Sequence, residues 1–180
     1  MSPPMMFLAL GSGSSLLIEG ESLDEAHPKE IVVVDWDWGL TNAAPIALKE
    51  SDDTKSAHVN PLTIHKLFDK ASPALAKYCA MGKHIPKGKF ILRKHGGHLP
   101  EPRKVDNSGD MREFLTIELE DVKITSVAWG AKGEDERGIP ETVILTFLKC
   151  KITYKTQANS GQLTEGPSIF NFDVGQHKLL

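Results

Sequence analysis

One segment of this 180-residue chain predicts an α-helix, while nearly all other patterned segments predict β-strands. Between Phe68 and His84, Ser72 can cap the first turn, Pro73 suits the first helical position, and Gly82 can adopt the left-handed conformation that ends a helix. The apolar residues that recur at helical spacing are Leu75, Tyr78 and Cys79. Because so short a helix is not stable alone, we expect it to pack on the flank of a β-structure.

The clearest strand pattern runs from Ile31 to Gly39 and contains the sequence DWDWG. Its alternation predicts a single strand with two different faces. One face takes Val32, Val34, Trp36 and Trp38, and the other takes Ile31, Val33, Asp35 and Asp37. We expect the tryptophan face to lie in the core and the two carboxylates to project from the opposite face.

Two longer strand patterns follow later in the chain. Residues 114–129 alternate on both sides of Glu120 and Asp121, which predicts a bend or bulge at this acidic pair. Residues 141–156 have apolar side chains on both faces, and residues 168–175 predict a last strand. We therefore predict a mainly β fold, a compact β-barrel of about eight strands with one short flanking α-helix.

The length is that of one domain, so we predict a single domain over residues 1–180. Residues 1–15 include the run GSGSS and are expected to form a flexible N-terminal segment. Residues 41–60 are polar and lack a sustained period, which predicts a long extended loop, and loops of this length often carry function. A second exposed loop is expected over residues 99–110.

The composition excludes several classes of protein. The chain is 40% hydrophobic with a net charge of -3, and its scattered lysines and arginines do not form the basic face that nucleic-acid binding requires. It contains no apolar run near the ~20 residues that span a bilayer, so membrane insertion is not expected. The run Met5–Leu10 lacks the flanking features of a signal peptide. Cys79 and Cys150 lie far apart among apolar residues, which predicts buried free thiols.

The patterns that could carry catalysis or metal binding are incomplete. His95 and His98 could share a metal ion, but no third ligand is placed by spacing, so an exposed turn is favoured. Asp35 and Asp37 would lie roughly 7 Å apart, as in some glycosidases, yet both come from one strand rather than from opposite walls of a cleft. Residues 134–136 lack the ligand spacing of a calcium loop. We therefore predict no enzyme activity, no metal and no cofactor.

Several segments, taken in order, resemble the Hcp family, the haemolysin-coregulated tube proteins of bacterial type VI secretion. The matching segments are EGESLDEAH (19–27), WDWG (36–39), FDKASPALAKYCAMGKH (68–84), LRKHGG (92–97), FLTIELEDVKITSVAWG (114–130), GEDERGIPETVILTF (133–147) and Tyr154. They cover most of residues 16–157, and their order and number carry the resemblance.

The resemblance implies a structural tube component rather than an enzyme. Members of this family form hexameric rings of small β-barrels, and the rings stack into a tube that is expelled by a contractile sheath behind a VgrG-type spike. The rings also carry effector proteins in their lumen. The implied partners are further copies of the chain, the spike, sheath and baseplate proteins, and effectors. The implied location is cytoplasmic and then secreted, without a cleavable signal peptide.

The resemblance also implies roles for two regions. In the family, the strand with the Trp-x-Trp-Gly pattern lines the lumen, which implies that Asp35 and Asp37 face the lumen and its effectors. The long loop that follows meets the adjacent ring. Its implied ring-stacking residues are Lys49, Glu50, Ser51, Asp52, Asp53 and Thr54. Family members often have serine at the position of Asp37. The aspartate in this chain therefore bears on the choice of cargo rather than on the tube role.

Two alternatives remain open from the sequence. The first is a specialised homologue that forms rings for a separate export cluster or a distinct cargo. The second is a β-barrel that binds a ligand or a carbohydrate through Asp35, Asp37 and the tryptophans. A ring in solution favours the tube role, whereas a monomer with affinity for glycans favours the second alternative.

Overall fold

The computed structural model describes residues 5–12, 15–42, 57–95, 111–130, 138–156 and 166–180. Within these ranges the chain forms thirteen β-strands and one α-helix, α1 (Ser72–Met81). The strands are β1 (Met6–Ser12), β2 (Ser15–Ile18), β3 (Ile31–Val32), β4 (Asp35–Asp37), β5 (Leu40–Asn42), β6 (Ala57–Val59), β7 (Leu62–Leu67), β8 (His84–His95), β9 (Met111–Trp129), β10 (Pro140–Thr146), β11 (Lys149–Tyr154), β12 (Ser168–Asp173) and β13 (Lys178–Leu179). The mainly β fold with one short helix is confirmed. The strands outnumber the prediction because two predicted strands are divided into shorter pieces and because short strands also form at residues 6–12, 40–42, 57–59 and 178–179.

Strand β9 occupies the centre of the main sheet. One of its edges pairs antiparallel with β8, and the other pairs first with β11 and then with β10. Asp121 lies where β9 passes from one partner to the other, and its φ is 54°. The bend predicted at the acidic pair is therefore confirmed, and it lets one 19-residue strand curve around the core.

The paired strands surround a common core, but their ladders do not close. From β9 the sheet continues through β8 to β1 and β3, and through β10 and β7 to β4. Its two ends, β3 and β4, are successive pieces of one chain segment. At the junction, the Val33 N–H donates to the Met6 carbonyl at 3.0 Å and the Val34 N–H donates to the His65 carbonyl at 2.8 Å. The closed barrel is not confirmed, since two single hydrogen bonds rather than a ladder join the ends.

The prediction of a single alternating strand over Ile31–Gly39 is wrong. Val33 is buried in the core, yet Trp36, three residues later, also packs against the core. Val34, which was assigned to the tryptophan face, is 59% exposed. The chain changes partner from β1 to β7 at this point, so the side that faces the core changes with it.

The flexible segment predicted over residues 1–15 is also wrong for residues 6–12. These residues form β1, which pairs with β8 on one edge and with β2 and β3 on the other. Phe7 and Leu10 are completely buried. The short apolar run becomes a core strand only because β8, far away in the sequence, supplies its partner.

The predicted 41–60 loop begins and ends in regular structure. Strands β5 and β6 pair antiparallel with each other, with Leu40 opposite Val59, as a separate two-stranded sheet. Residues 43–56 and the predicted 99–110 loop lie outside the described residues. The organisation of residues 1–180 as a single domain stays a prediction.

Helix α1 ends as predicted but begins differently. Gly82 has a φ of 59°, in the left-handed region, as expected for the residue that ends the helix. Ser72 makes no capping hydrogen bond, so its predicted capping role is wrong. Instead, Asp69 Oδ1 accepts the Ala71 N–H at 2.9 Å, just before the helix.

The Ser72 hydroxyl belongs to a buried cluster of polar groups beneath α1. Lys66 Nζ donates to Glu141 Oε2 at 2.6 Å and to Asp69 Oδ1 at 2.8 Å. The Ser72 hydroxyl also donates to Glu141 Oε2 at 2.6 Å. Both Lys66 and Glu141 have fully buried side chains. The cluster therefore fixes the start of the helix to β7 and β10, in addition to the packing of Leu75 in the core.

Candidate functional site

Asp35 and Asp37 project from the outer face of β4, as predicted from their alternation with the tryptophans. In the ladder between β4 and β7, Asp35 pairs with His65, Trp36 with Ile64, and Asp37 with Thr63. Ile64 is completely buried, whereas the Asp37 side chain is 78% exposed. The two carboxylates therefore lie on the solvent side of a sheet whose other side is the core.

His65 connects Asp37 to the next strand. Its Nε2 lies 3.4 Å from Asp37 Oδ2, and its Nδ1 lies 3.1 Å from Thr142 Oγ1 on β10. With the proton on Nε2, a neutral imidazole donates to the carboxylate and accepts the Thr142 hydroxyl.

The strand ladders extend this face across β7, β10 and β9. The row through Asp35 contains His65, Thr142 and Ala128, and the row through Asp37 contains Thr63, Ile144 and Ser126. The fixed charges in these two rows are the two aspartates. The rows thus form an acidic and otherwise mostly uncharged surface, which we call the Asp37 face.

A cavity of about 520 Å³ opens beside Asp37. Its lining residues are Asp37, Trp38, Gly39, Asn60, Pro61, Thr63 and Ile144. The Trp38 indole N–H donates to the Asn60 carbonyl at 2.9 Å, and its ring makes an edge contact with Phe147 at a centroid distance of 5.9 Å. These two contacts hold the Trp38 ring in place as one wall of the cavity.

Sequence reasoning identified the two carboxylates but missed His65 and Thr142. Alternation in β7 and β10 places both side chains on an outer face. It cannot show that these strands lie next to β4, because that depends on pairing between distant segments. The implied ring-stacking residues Lys49, Glu50, Ser51, Asp52, Asp53 and Thr54 lie outside the described residues.

Among the described residues, the remaining candidates for chemistry form no second site. Among the residues that the structure describes, no group of three or more His, Cys, Asp and Glu side chains could hold a metal ion. The side chains of the predicted pair His95 and His98 lie outside that part of the chain, as do residues 134–136. Cys79 and Cys150 are free thiols, as predicted, but only Cys150 is buried and Cys79 is partly exposed. Burial raises the pKa of Cys150 to about 11, so its reactive thiolate form is rare at neutral pH.

The described helix is too short to cross a membrane.

Comparison with known proteins identifies a family for this architecture. Residues 7–154 match a family described as type VI secretion system effector, Hcp. The chain is 30% identical over 172 residues to the protein hcp1 of Pseudomonas aeruginosa, and the match covers 96% of each protein.

Two solved structures extend this similarity to the fold. A type VI secretion system effector from Yersinia pestis shares 31% identity with a TM-score of 0.68, covering 94% of this chain and 99% of that one. Hcp1 from Salmonella typhimurium shares 27% identity with a TM-score of 0.74, covering 99% of both chains.

Proposed function

The chain belongs to the Hcp family of type VI secretion system effectors, and from this premise we propose that it is a subunit of the secretion tube. In this role, hexameric rings stack into a tube that carries effector proteins in its lumen and acts structurally rather than as an enzyme. The family match over residues 7–154 carries the proposal. The partners are the spike, sheath and baseplate proteins and the effectors, and export needs no cleavable signal peptide.

Two exposed apolar surfaces support ring formation. The first, which we call the Trp129 surface, lies where β7, β9 and β10 end. It consists of Leu67, Phe68, Trp129 and Ile139. Phe68 and Trp129 pack edge to face at 6.0 Å, and the Phe68 N–H donates to the Ile139 carbonyl at 2.8 Å. Exposed apolar patches of this kind mark interaction sites.

The second surface lies on the outer face of β11 and β12, and we call it the Ile169 surface. It centres on Ile169, which is 56% exposed and pairs with Thr153. A ring that closes by head-to-tail contacts requires two different surfaces on each subunit. We infer that the Trp129 surface of one subunit contacts the Ile169 surface of the next.

The Asp37 face supplies a wall for the lumen. Its solvent side is polar and carries Asp35 and Asp37, and its other side is anchored in the core through Trp36 and Ile64. A wall of this kind contacts cargo without holding the ring together. Asp35 and Asp37 are therefore the proposed effector-facing residues.

Size-exclusion chromatography with light scattering tests the ring directly. The expected mass is six times that of the chain, and a stable monomer at micromolar concentration would contradict the proposal. The Asp37→Arg protein should form rings of the same size but co-purify with different effectors. An Asp37→Arg protein that loses the ring while keeping the cargo preference of the parent would reverse the assignment of this face.

The alternative of a ligand-binding or carbohydrate-binding protein predicts a monomer that is retained on immobilised glycans. The same light-scattering measurement separates the two functions. The family assignment favours the tube.

A further inference from the structure

We propose that the cavity beside Asp37 binds the side chain of an arginine presented by another protein. This inference rests on the proposed lumen role for its meaning in secretion. The class of cargo that it implies is a polypeptide with exposed arginine residues. The cavity itself is a feature of the single chain. We call it the Asp37 notch, after the residue that supplies its negative charge.

The notch is large enough to accept one long side chain, and its walls suit one. A volume of about 520 Å³ is at the scale of small-ligand sites, but this cavity is open to solvent beside an exposed strand. Trp38, Pro61 and Ile144 supply apolar wall. The aliphatic stem of an arginine can pack on such surface while its charged end stays near water.

The polar end of the notch fits a cation. Asp37 lines the cavity, and its side chain is 78% exposed, so its carboxylate can accept a ligand without displacing core residues. Its side-chain hydrogen-bond partner within the described part of the chain is His65, whose Nε2 lies 3.4 Å from Oδ2. This is a long contact, and a guanidinium that binds a carboxylate through two parallel hydrogen bonds can replace it.

The chemistry of the wall favours arginine over other side chains. The fixed charges in the two residue rows of the Asp37 face are carboxylates, which disfavours acidic ligands. A planar guanidinium stacks on aromatic rings more readily than the strongly hydrated ammonium of lysine. Trp38 lines the same cavity as Asp37, and its contacts with Asn60 and Phe147 hold its ring in position.

Tryptophan resonances provide a direct readout of binding. The chain has three tryptophans, so the full protein labelled with ¹⁵N-tryptophan gives three indole signals, which single Trp→Phe variants assign. The probe is N-acetyl-arginine N-methylamide, and the matched neutral control is N-acetyl-citrulline N-methylamide, which is similar in shape but uncharged. We expect the arginine compound to shift the Trp38 signal in a saturable manner and to leave the Trp129 signal in place.

Two aspartate variants separate the notch from the general charge of the face. Asp37→Asn should weaken arginine binding at least about tenfold, because it removes a charged hydrogen-bond acceptor. Asp35→Asn is the matched control. Asp35 lies on the same strand and is also exposed, but it does not line the cavity, so its loss should leave the affinity of the notch for the arginine compound close to that of the parent, whatever Asp35 contributes to contacts with whole effectors.

Light scattering on the same samples distinguishes this inference from the proposed function. If rings form but arginine leaves the Trp38 signal unchanged, the notch is not an arginine site and the tube role stands. Equal binding of citrulline, or equal weakening by both aspartate variants, would also overturn the inference. A monomer that binds arginine at the notch would support the site and contradict the tube.

Discussion

At the scale of single residues, burial of the Lys66–Glu141 pair carries a large desolvation cost. Isolated charges are strongly disfavoured in a protein interior, so each needs a full set of partners. Lys66 has Glu141, Asp69, the Ser72 hydroxyl and the Leu67 carbonyl within 3.1 Å. These partners of Lys66 converge at the start of α1, whereas Glu141 Oε1 is buried without a hydrogen-bond partner among the described residues.

Removing one member of this pair should therefore cost more than removing an ordinary hydrogen bond. We expect Glu141→Ala to lower the free energy of unfolding by about 3–5 kcal/mol, because it leaves Lys66 buried with weaker compensation. Ser72→Ala should cost about 1–3 kcal/mol through lost hydrogen bonds to charged groups, rather than through a lost helix cap. Denaturant unfolding at a matched association state measures both.

A double variant supplies the control for this prediction. Lys66→Met with Glu141→Leu removes both charges and fills similar space, so it should recover most of the loss. A Glu141→Ala protein as stable as the parent would show that the buried pair does not anchor the helix.

Asp24 makes a pH-dependent contribution to the free energy of unfolding. Partial burial raises the pKa of Asp24, but hydrogen bonds from Arg93 and from the Ala26 N–H outweigh that effect and lower its pKa below the usual value. Arg93 Nη1 lies 3.1 Å from Oδ1, and Nη2 lies 2.5 Å from Oδ2. Because the pKa is lower in the folded state, the stabilisation is present above the unfolded-state pKa and is lost as the pH falls through the folded value.

The parent should therefore lose more stability in acid than an Asp24→Asn protein. We expect the difference between the two unfolding free energies to shrink as the pH falls from about 5 to about 3, around the usual aspartate pKa of about 3.9. Urea unfolding at several pH values measures it. A constant difference across this pH range would show that Asp24 does not contribute to the acid sensitivity of the fold.

At the scale of the elements, the end of α1 depends on backbone conformation. A Cβ added at Gly82 would meet its nearest atoms, the Lys123 side chain, at 3.7 Å, so there is room for a side chain. The φ of 59° is the obstacle, since it is unfavourable for most L-residues.

We expect Gly82→Val to lower the free energy of unfolding by about 1–2 kcal/mol, and Gly82→Asn to cost less because asparagine tolerates this conformation. Thermal or denaturant unfolding of the two variants tests the difference. Equal stability of the valine and asparagine variants would mean that conformational strain is not what limits this position.

Charged residues on the central strands favour one register of strand pairing. On β8, β9 and β11, each of two glutamates on β9 lies between two lysines. The rows are Lys87–Glu120–Lys149 and Lys89–Glu118–Lys151. Exposed ion pairs contribute little stability individually, but a one-residue shift in register would move these side chains to the other face, so the pattern favours this register.

At the scale of the whole molecule, the proposed ring depends on exposed apolar surface. We expect Trp129→Glu to dissociate the ring while leaving the fold intact, because Trp129 is 53% exposed and its replacement places a charge in the proposed interface. Light scattering and circular dichroism measure assembly and fold. Leu23→Glu is the matched control, because Leu23 is 96% exposed and lies outside both apolar surfaces. A hexameric Trp129→Glu protein would exclude this surface from the contact.

The proposed stacking role of residues 49–54 belongs to the same scale. Replacing Lys49 to Ser56 with a shorter Gly-Ser linker should leave hexamers intact, because loop length affects folding only weakly. It should abolish tubes and secretion together. Negative-stain images and a secretion assay in cells with the same deletion test this, and normal export by the shortened protein would count against the loop as the stacking element.

The sequence by itself determined the features that depend on neighbouring residues. Gly82 ends the helix because the backbone there requires a left-handed conformation. Asp35 and Asp37 oppose the tryptophans because side chains alternate along a strand, and the bend at Asp121 interrupts a long alternating pattern. The order and number of the segments that match the family also sufficed to predict it.

Only the tertiary structure decided the features that join distant segments. It made residues 6–12 a core strand through pairing with β8, and it divided Ile31–Gly39 between β1 and β7. It drew the Ser72 hydroxyl to Glu141, 69 positions away, instead of to the amides of its own helix. It brought His65 and Thr142 beside Asp37. Local pattern cannot predict these contacts, because strand pairing and burial depend on residues that meet only when the whole sheet has formed.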